Sequence, residues 1–326
     1  MRCFFILNPG SKGGTSKKTF KKIFDLLDKS SINYHYKITN SLEDAFSFSK
    51  EANNKGYDVI VAVGGDGTIN KVLSGFYNEN GSRISKAKMG VIYTGTSPDF
   101  CKSYNIPIKL KKAVEVILDN KSKKIQIGKI VLAKKFMMEY EGQLVDYTSN
   151  FKTCYFACCA NIGLGAQLAR RANTGIRSFL GDYIGTFTAL IKTFFSYKPC
   201  QFQMIADGKN EKIERVHNIS IGRTFYIASG IKVKNKISQG DGLFYRLTVK
   251  NMRLKDFFLL IKKVYSGKEM VDNRFLTLDY IKKIEICGNK TNPEVEFDGD
   301  PAGFLPCTIE IADQQLDIVC EVDCNG

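Results

Sequence analysis

Apolar runs, broken by glycine turns and amphipathic segments, fill the first third of the chain. Arg2 to Leu7 is a short apolar run and reads as a buried strand. Asn8-Pro9-Gly10-Ser11-Lys12-Gly13-Gly14 follows as a turn. From Thr15 to Leu27, apolar residues recur at Phe20, Ile23, Phe24 and Leu27, a helical spacing with lysines on the other face. Thr15 or Ser16 stands where a cap belongs. Tyr34 to Ile38 predicts a second strand, ending at Thr39-Asn40, and Leu42 to Asn54 a helix capped by Ser41. Val59 to Val63 is continuously apolar and β-branched, as in a strand covered on both faces. It runs into Gly64-Gly65-Asp66-Gly67-Thr68 and a helix-compatible segment from Ile69 to Phe76. Met89 to Tyr93 predicts a fourth strand, ending at Thr94-Gly95-Thr96, and Lys109 to Asn120 a further helix. Strands alternating with helices imply a parallel sheet with right-handed crossovers. Ligands of such sheets sit beyond the carboxyl ends of the strands, where these loops can converge.

The pattern changes near Ile125 to Lys129. Strand-like segments follow at Ile125–Leu132, Cys154–Ile162, Gln201–Ala206, His217–Ile221, Phe244–Val249, Ile281–Cys287 and Thr308–Val319. Helical spacing returns only around Ala166–Arg171, Phe179–Phe195 and Leu254–Tyr265. This half reads as a mostly antiparallel β domain. The segment Phe179 to Tyr197 has a wide apolar face, which either packs on the β domain or lines a groove for acyl chains or touches a membrane.

Composition narrows the class. At 326 residues the chain suits two domains, and 44% hydrophobic with 25% charged residues is the balance of a soluble globular protein. A net charge of +15 points to anionic partners: nucleotide, phospholipid surface or nucleic acid. No recognised motif for nucleic acid accompanies the basic charge, so that partner is not expected. Lys17, Lys18, Lys21 and Lys22 share a helix face, and Lys232, Lys234 and Lys236 alternate as on a strand. Each would contribute on the order of 1 kcal/mol at an anionic bilayer; the bland reading is a solvated face. Ten cysteines show no paired C-x-x-C spacing, and Met1 to Leu7 runs straight into a strand rather than a signal peptide. Reduced thiols in a cytoplasmic protein are the expectation. No apolar stretch is long enough to span a bilayer, and His35 and His217 stand in no nucleophile or metal context.

The candidate chemistry centres on Gly64–Thr68. Glycines let a backbone approach a ligand with its N–H groups exposed, and the start of the next helix adds unpaired donors and a positive dipole end. Together they make a phosphate cradle. Asp66 inside it is repelled by phosphate unless a cation lies between, which points to Mg2+. The dinucleotide fingerprint and the Walker pattern are both absent, Gly163-Leu164-Gly165 having no third glycine at the required spacing.

Asn8-Pro9-Gly10-Ser11-Lys12-Gly13, Thr39, Gly64–Thr68, Thr94-Gly95-Thr96, Gly163-Leu164-Gly165-Ala166, Ser238-Gln239-Gly240-Asp241-Gly242-Leu243 and Phe297-Asp298-Gly299-Asp300-Pro301 occur in that order. In these pieces the chain resembles the diacylglycerol kinase catalytic-domain family, especially its soluble bacterial lipid kinases, whose relatives include sphingosine and ceramide kinases. The G-G-D-G-T loop is shared with NAD kinases and echoed in phosphofructokinases; the later D-G-L and D-G-[E/D] segments favour a lipid kinase. The resemblance implies an α/β nucleotide-binding domain over 1–127 and a β-sandwich substrate domain over 128–326. The active site would lie in the cleft between them, and the last stretch of chain would pack back on the first domain.

It further implies ATP bound by Asn8, Pro9, Ser11, Lys12, Gly13, Thr39, Gly64, Gly65, Asp66, Gly67, Thr68, Thr94, Gly95 and Thr96. Asp66 would organise a catalytic Mg2+, and Asp241 with the carbonyls of Ser238 and Leu243 would hold a structural one. Asp300 would be the general base with Asp298 beside it as metal ligand or helper, roles that can exchange because paired carboxylates titrate jointly. The implied reaction is phosphorylation of diacylglycerol to phosphatidic acid by a cytoplasmic, peripherally membrane-associated enzyme, with room for a homodimer. A non-catalytic sensor on the same fold, and a kinase of a sphingoid base, phosphatidylglycerol or NAD, stay open. Three positions depart from the family pattern: Pro98 replaces an Asn, Gln126 an Asp near the domain junction, and Asp300 a Glu.

Overall fold

The β-branched runs of the first third become inner strands of a parallel sheet in the computed structural model. The structure describes residues 1–322 except 12, 15, 31, 97, 134–150, 172–191, 193, 228–230, 234, 239, 254, 260–272, 289–292 and 299. Strands β1 (Arg2–Leu7), β2 (Asn33–Ile38), β3 (Val59–Gly64) and β4 (Lys88–Tyr93) alternate with helices α1 (Lys17–Leu27), α2 (Leu42–Asn54) and α3 (Asp66–Ser74). Then come α4 (Asp99–Ser103), α5 (Leu110–Asp119) and β5 (Ser122–Ile125). The second half holds β6 (Gly128–Ala133), β7 (Phe151–Phe156), β8 (Cys159–Gly163), α6 (Leu164–Arg171), β9 (Cys200–Ala206) and β10 (Lys209–Gly222). It continues through β11 (Tyr226–Ile227), β12 (Ile231–Lys232), β13 (Phe244–Lys250), β14 (Leu276–Ile281), β15 (Ile284–Ile286), β16 (Glu294–Phe297), β17 (Asp300–Ile311) and β18 (Leu316–Val319).

The first sheet has the order β2-β1-β3-β4-β18-β5. β1 pairs in parallel with both β2 and β3, so the strand order reverses at β1. At such a reversal the connections leave in opposite directions and a crevice opens at the carboxyl ends of the two strands. Here those ends carry the Asn8–Gly14 and Gly64–Thr68 loops. Phe20, Ile23 and Leu27 of α1 and Val114 and Ile117 of α5 cover one face of the sheet. Ala45 and Ala52 of α2 and Val72 and Leu73 of α3 cover the other. The Ser41 hydroxyl accepts from the Asp44 N–H, and the Asp44 carboxylate accepts from the Asn40 and Ser41 N–H groups, a closed capping box at the start of α2.

The second sheet runs β14-β13-β10-β8-β16-β17-β15-β9, with β6 and β7 extending from β17. β10 also pairs with β9, so the strands from β10 through β8, β16, β17 and β15 to β9 close on themselves. The closure uses a change of partner within β10. Lys209–Ile213 pair with β9, Val216–Gly222 with β13, and Arg215 between them sits at φ 53°. Phe202, Ile219, Ile284, Val295, Leu305 and Ile309 fill the interior.

Five segments differ from the pattern reading; Ile125–Leu132 is divided between β5 and β6, and Cys154–Ile162 between β7 and β8. Thr308–Val319 is not one strand: β17 ends at Ile311 and β18 begins at Leu316 in the other sheet. The polar residues between explain the break, since the Gln314 carbonyl accepts from the Tyr77 hydroxyl and its side chain from the Arg83 N–H. Ile281–Cys287 is likewise split, because the Asp207 carboxylate accepts from the Lys282 and Lys283 N–H groups and bends the chain there. Lys209–Glu214 is strand although it lacks apolar alternation, its side chains being largely solvent-facing. The apolar segment Phe179–Tyr197 lies mostly outside the described residues; at its end Phe194 stacks on Phe257 and His217, and Phe195 is exposed. Among the described residues no helix is long and apolar enough to cross a membrane.

Candidate active site

The loops after β1, β3 and β4 meet at the crevice. Asn8, at the end of β1, donates from its side-chain amide to the Thr68 hydroxyl at 2.8 Å and accepts from the Gly10 N–H at 2.9 Å. It therefore ties the first loop to the start of α3. Ser11 donates from its hydroxyl to the Thr94 carbonyl at 3.2 Å, joining the first loop to the third. Gly65 and Gly95 explain why both loops need glycine. A Cβ at Gly95 would stand 2.7 Å from the Gly65 Cα and 2.5 Å from the Tyr93 hydroxyl, inside contact distance. Thr39, buried at the end of β2, gives both its N–H and its hydroxyl to the Leu7 carbonyl. A cavity of ≈ 450 Å³ opens beside Thr94, Gly95 and Thr96, bounded by Ser16 and Thr19 at the start of α1 and by Ile108 and Leu110. Pro98 lines it too; as N-cap of the short helix α4 it has no helical N–H to lose, so proline is tolerated there. Pro9 and Gly13 lie on the exposed side of the first loop, and Lys12 is outside the described residues.

Asp66 opens α3. Its Oδ2 accepts from the Tyr93 hydroxyl at 3.1 Å. Its Oδ1 is buried and has no hydrogen-bond partner among the described residues. Burial pushes its carboxyl up to about 7, Asp99 and Asp298 add to the rise, and the Tyr93 O–H opposes it. An orphaned, reluctantly charged carboxylate facing two others, at a helix N-terminus built for anions, has the donor chemistry of a hard divalent cation. Mg2+ fits Asp66 on that observation. No group of three or more Asp, Glu, His or Cys side chains close enough to share a metal occurs among the described residues.

Asp298 sits at φ 50° in the turn between β16 and β17. Its carboxylate accepts from the N–H groups of Ala157, Cys158 and Cys159, all at 3.1 Å, and from the Asn70 amide at 3.0 Å. Burial still raises its carboxyl above the ordinary range against the pull of these donors. Asn70 belongs to α3, one helical turn beyond Asp66, or about 6 Å along the axis. The same Asn70 amide reaches the Tyr155 carbonyl at 3.0 Å. One helix thus carries the Asp66 carboxylate at its start and grips the β16–β17 turn one turn later. Asp300 follows as the first residue of β17, its backbone paired with Phe297.

The third expected group gathers elsewhere. Ser238, Asp241 and Leu243 surround the guanidinium of Arg223, which donates to the Leu243 carbonyl, the Gln126 side-chain oxygen (2.7 Å), the Asp241 carboxylate (3.2 Å) and the Ser238 carbonyl (3.3 Å). These acceptors do not fit a structural Mg2+, because an organic cation already holds them. Sequence reasoning passed over Asn70, Tyr93, Asp99 and Arg223. Asp99 follows the Thr96 loop closely and was legible as a neighbour of it; the other three carry no local signal. His35 packs edge-on to Tyr57 and His217 against Phe194, and burial lifts the thiols of Cys158 and Cys159 far from reactivity.

Known proteins match the chain in both of its halves. A family model described as the diacylglycerol kinase catalytic domain matches residues 2–130, and one described as the YegS C-terminal NAD kinase beta sandwich-like domain matches residues 158–320. A diacylglycerol kinase of Bacillus subtilis (strain 168) is 24% identical over 307 residues, covering 94% of this chain and 91% of the relative. One of Staphylococcus aureus (strain bovine RF122 / ET3-1) is 25% identical over 325 residues, covering 99% and 93%. The fold is that of a solved structure described as a putative diacylglycerol kinase from Bacillus anthracis str. Sterne, with TM-score 0.71, 20% identity and coverage of 98% and 97%. With its two halves matched in order, the chain belongs to the diacylglycerol kinase catalytic-domain family and is a lipid kinase.

Proposed function

We propose that this lipid kinase transfers the γ-phosphoryl group of ATP to the hydroxyl of diacylglycerol, yielding phosphatidic acid and ADP. The observation that carries the reading is α3 itself: Asp66 at its N-terminus has an orphaned carboxylate oxygen, and Asn70 one turn on binds Asp298. Backbone N–H groups of Gly64–Thr68 receive the phosphates, and the cavity beside Thr94–Thr96 takes the nucleoside. Asp66 would hold Mg2+, which when bound would supply neutralisation of the charge on the transferred group. Asp298 spends its acceptor capacity on four N–H donors, so its task is to hold the turn. Asp300 is the assigned base. It takes the hydroxyl proton as the acceptor oxygen bonds to γ-phosphorus and the bond to the ADP oxygen breaks. The exposed face of α1 with Lys17, Lys18, Lys21 and Lys22 supports peripheral binding to an anionic bilayer.

The test incubates the purified protein with Mg2+, γ-labelled ATP and diacylglycerol in mixed micelles. Label in phosphatidic acid is expected, and Asp300→Asn is expected to lower kcat by roughly 10²–10⁴-fold with ATP binding retained. Label only in NADP or in a sphingoid base, or ATP binding with no transfer, overturns the diacylglycerol assignment.

A further inference from the structure

Arg223 directly follows β10 and points into the junction of the two halves. Its side chain is only 6% exposed, and its guanidinium lies over the Phe244 ring. The four acceptors around it come from two separate parts of the chain. Gln126 lies between β5 of the first sheet and β6 of the second. Ser238, Asp241 and Leu243 belong to the loop that leads into β13. Each acceptor is already oriented by the loop. The Asp241 carboxylate takes the Ser238 N–H at 2.7 Å and the Leu243 N–H at 2.9 Å, while the Gln126 oxygen takes the N–H groups of Gly240 at 3.2 Å and Gly242 at 3.3 Å. Carbonyl and carboxylate oxygens turned toward one point repel one another, and such a loop closes only around positive charge. One carboxylate among neutral oxygens needs one positive charge, and the guanidinium supplies it with donors to spare.

We infer that Arg223 is a resident cation: its guanidinium fills the position where the loop 238–243 would otherwise need a divalent metal, making this junction independent of metal. Gln126 is part of the same device. As a neutral acceptor it leaves the cluster balanced, where a second carboxylate would leave one negative charge over. Burial opposes the charge on Asp241, but the Leu243 and Ser238 N–H groups and Arg223 outweigh it and hold the carboxyl below its usual range, so the pair is ionic at neutral pH. Because the guanidinium spans Gln126 and the loop before β13, it sets how the barrel meets the parallel sheet. This inference does not rest on the identity of the phosphoryl acceptor.

The experiment uses the full chain without nucleotide, in an Asp66→Asn background that removes the other candidate metal ligand. Thermal unfolding in excess EDTA and in millimolar Mg2+ is expected to differ by less than ~1 °C, and elemental analysis after dialysis to find no retained Mg2+. Arg223→Ala is expected to lower Tm by roughly 5 °C in EDTA, since it strands a half-buried carboxylate and three further acceptors; Arg223→Lys recovers only part, having a point charge in place of a fork. Arg223→Ala combined with Gln126→Asp is expected to regain Tm on adding Mg2+, or to fold only with it. A Mg2+-dependent rise in the Asp66→Asn protein that Asp241→Asn abolishes would overturn the inference, as would an unchanged Tm for Arg223→Ala or a double variant indifferent to Mg2+.

Discussion

Asp66 is the residue at which burial and function conflict most. Its carboxyl is held near 7 against an ordinary 3.8, so the folded chain binds this proton more tightly than the unfolded chain. That contribution to stability is fully present below the unfolded value and is lost as pH rises toward about 7. Asp66→Asn, which keeps the shape and removes the charge, is therefore expected to stabilise the ligand-free protein by about 4 kcal/mol at about pH 8 and about 2 kcal/mol at about pH 5. Thermal unfolding at the two pH values checks this; an equal gain at both would show that the carboxyl is not perturbed. The same substitution is expected to cost at least ~100-fold in kcat, because the orphaned oxygen is the feature that suits a cation. The residue type and the glycines around it were readable from the chain, since a carboxylate among glycines at the end of a buried strand stands out locally. Its perturbation was not, because the burial that raises it, and the approach of Asp298, come only with the fold.

At the scale of elements, the loops act as a set because β1, β3 and β4 end side by side and their turns touch. The contact of Gly65 with Gly95 is tight enough that Gly95→Ala must move either the Gly65 backbone or the Tyr93 ring. It is expected to raise KM for ATP by about 10-fold or more, with the unfolding temperature changed far less; a KM for ATP unchanged from wild type would separate the Thr94–Thr96 loop from nucleotide binding. The capping box of α2 makes a contrasting case. Ser41→Ala is expected to cost about 1 kcal/mol of stability, read in denaturant unfolding, with no change in kcat, because that cap lies at the helix start and serves the helix alone. Helix caps, apolar stripes and β-branched strands were legible because their physics is local. The polar half of β10 was not, because it folds back on β9 across the Asp207-Gly208 turn with side chains that lack apolar alternation; nor were the breaks at Lys282 and Asp313–Gln315, because partners distant in sequence decide them: the Asp207 carboxylate, and Tyr77 with Arg83.

The whole molecule adds what neither half contains. Asn70 on α3, Tyr104 with its hydroxyl 2.6 Å from the Ala157 carbonyl, and Tyr155 stacked 4.6 Å from Tyr77 bind the barrel to the parallel sheet. The net charge of +15 acts at this scale as well. Binding to vesicles containing anionic phospholipid is expected to fall at least ~10-fold between about 0.05 and 0.5 M salt, and to weaken further for Lys17→Glu with Lys21→Glu; sedimentation with neutral vesicles as control checks it. The chain by itself determined the alternation of strands and helices, the glycine loops at the ends of the strands, the carboxylates at Asp66, Asp241, Asp298 and Asp300, and the change of pattern near residue 125. Those follow from periodicity, turn stereochemistry and residue chemistry, which act over a few neighbouring residues. Only the tertiary structure decided that Asp298 would be held by Asn70, that Thr308–Val319 would break between the two sheets, and that Arg223 would tie Gln126 to Asp241. Each of these is a contact between segments far apart in sequence, where packing and desolvation, not spacing along the chain, choose the partner.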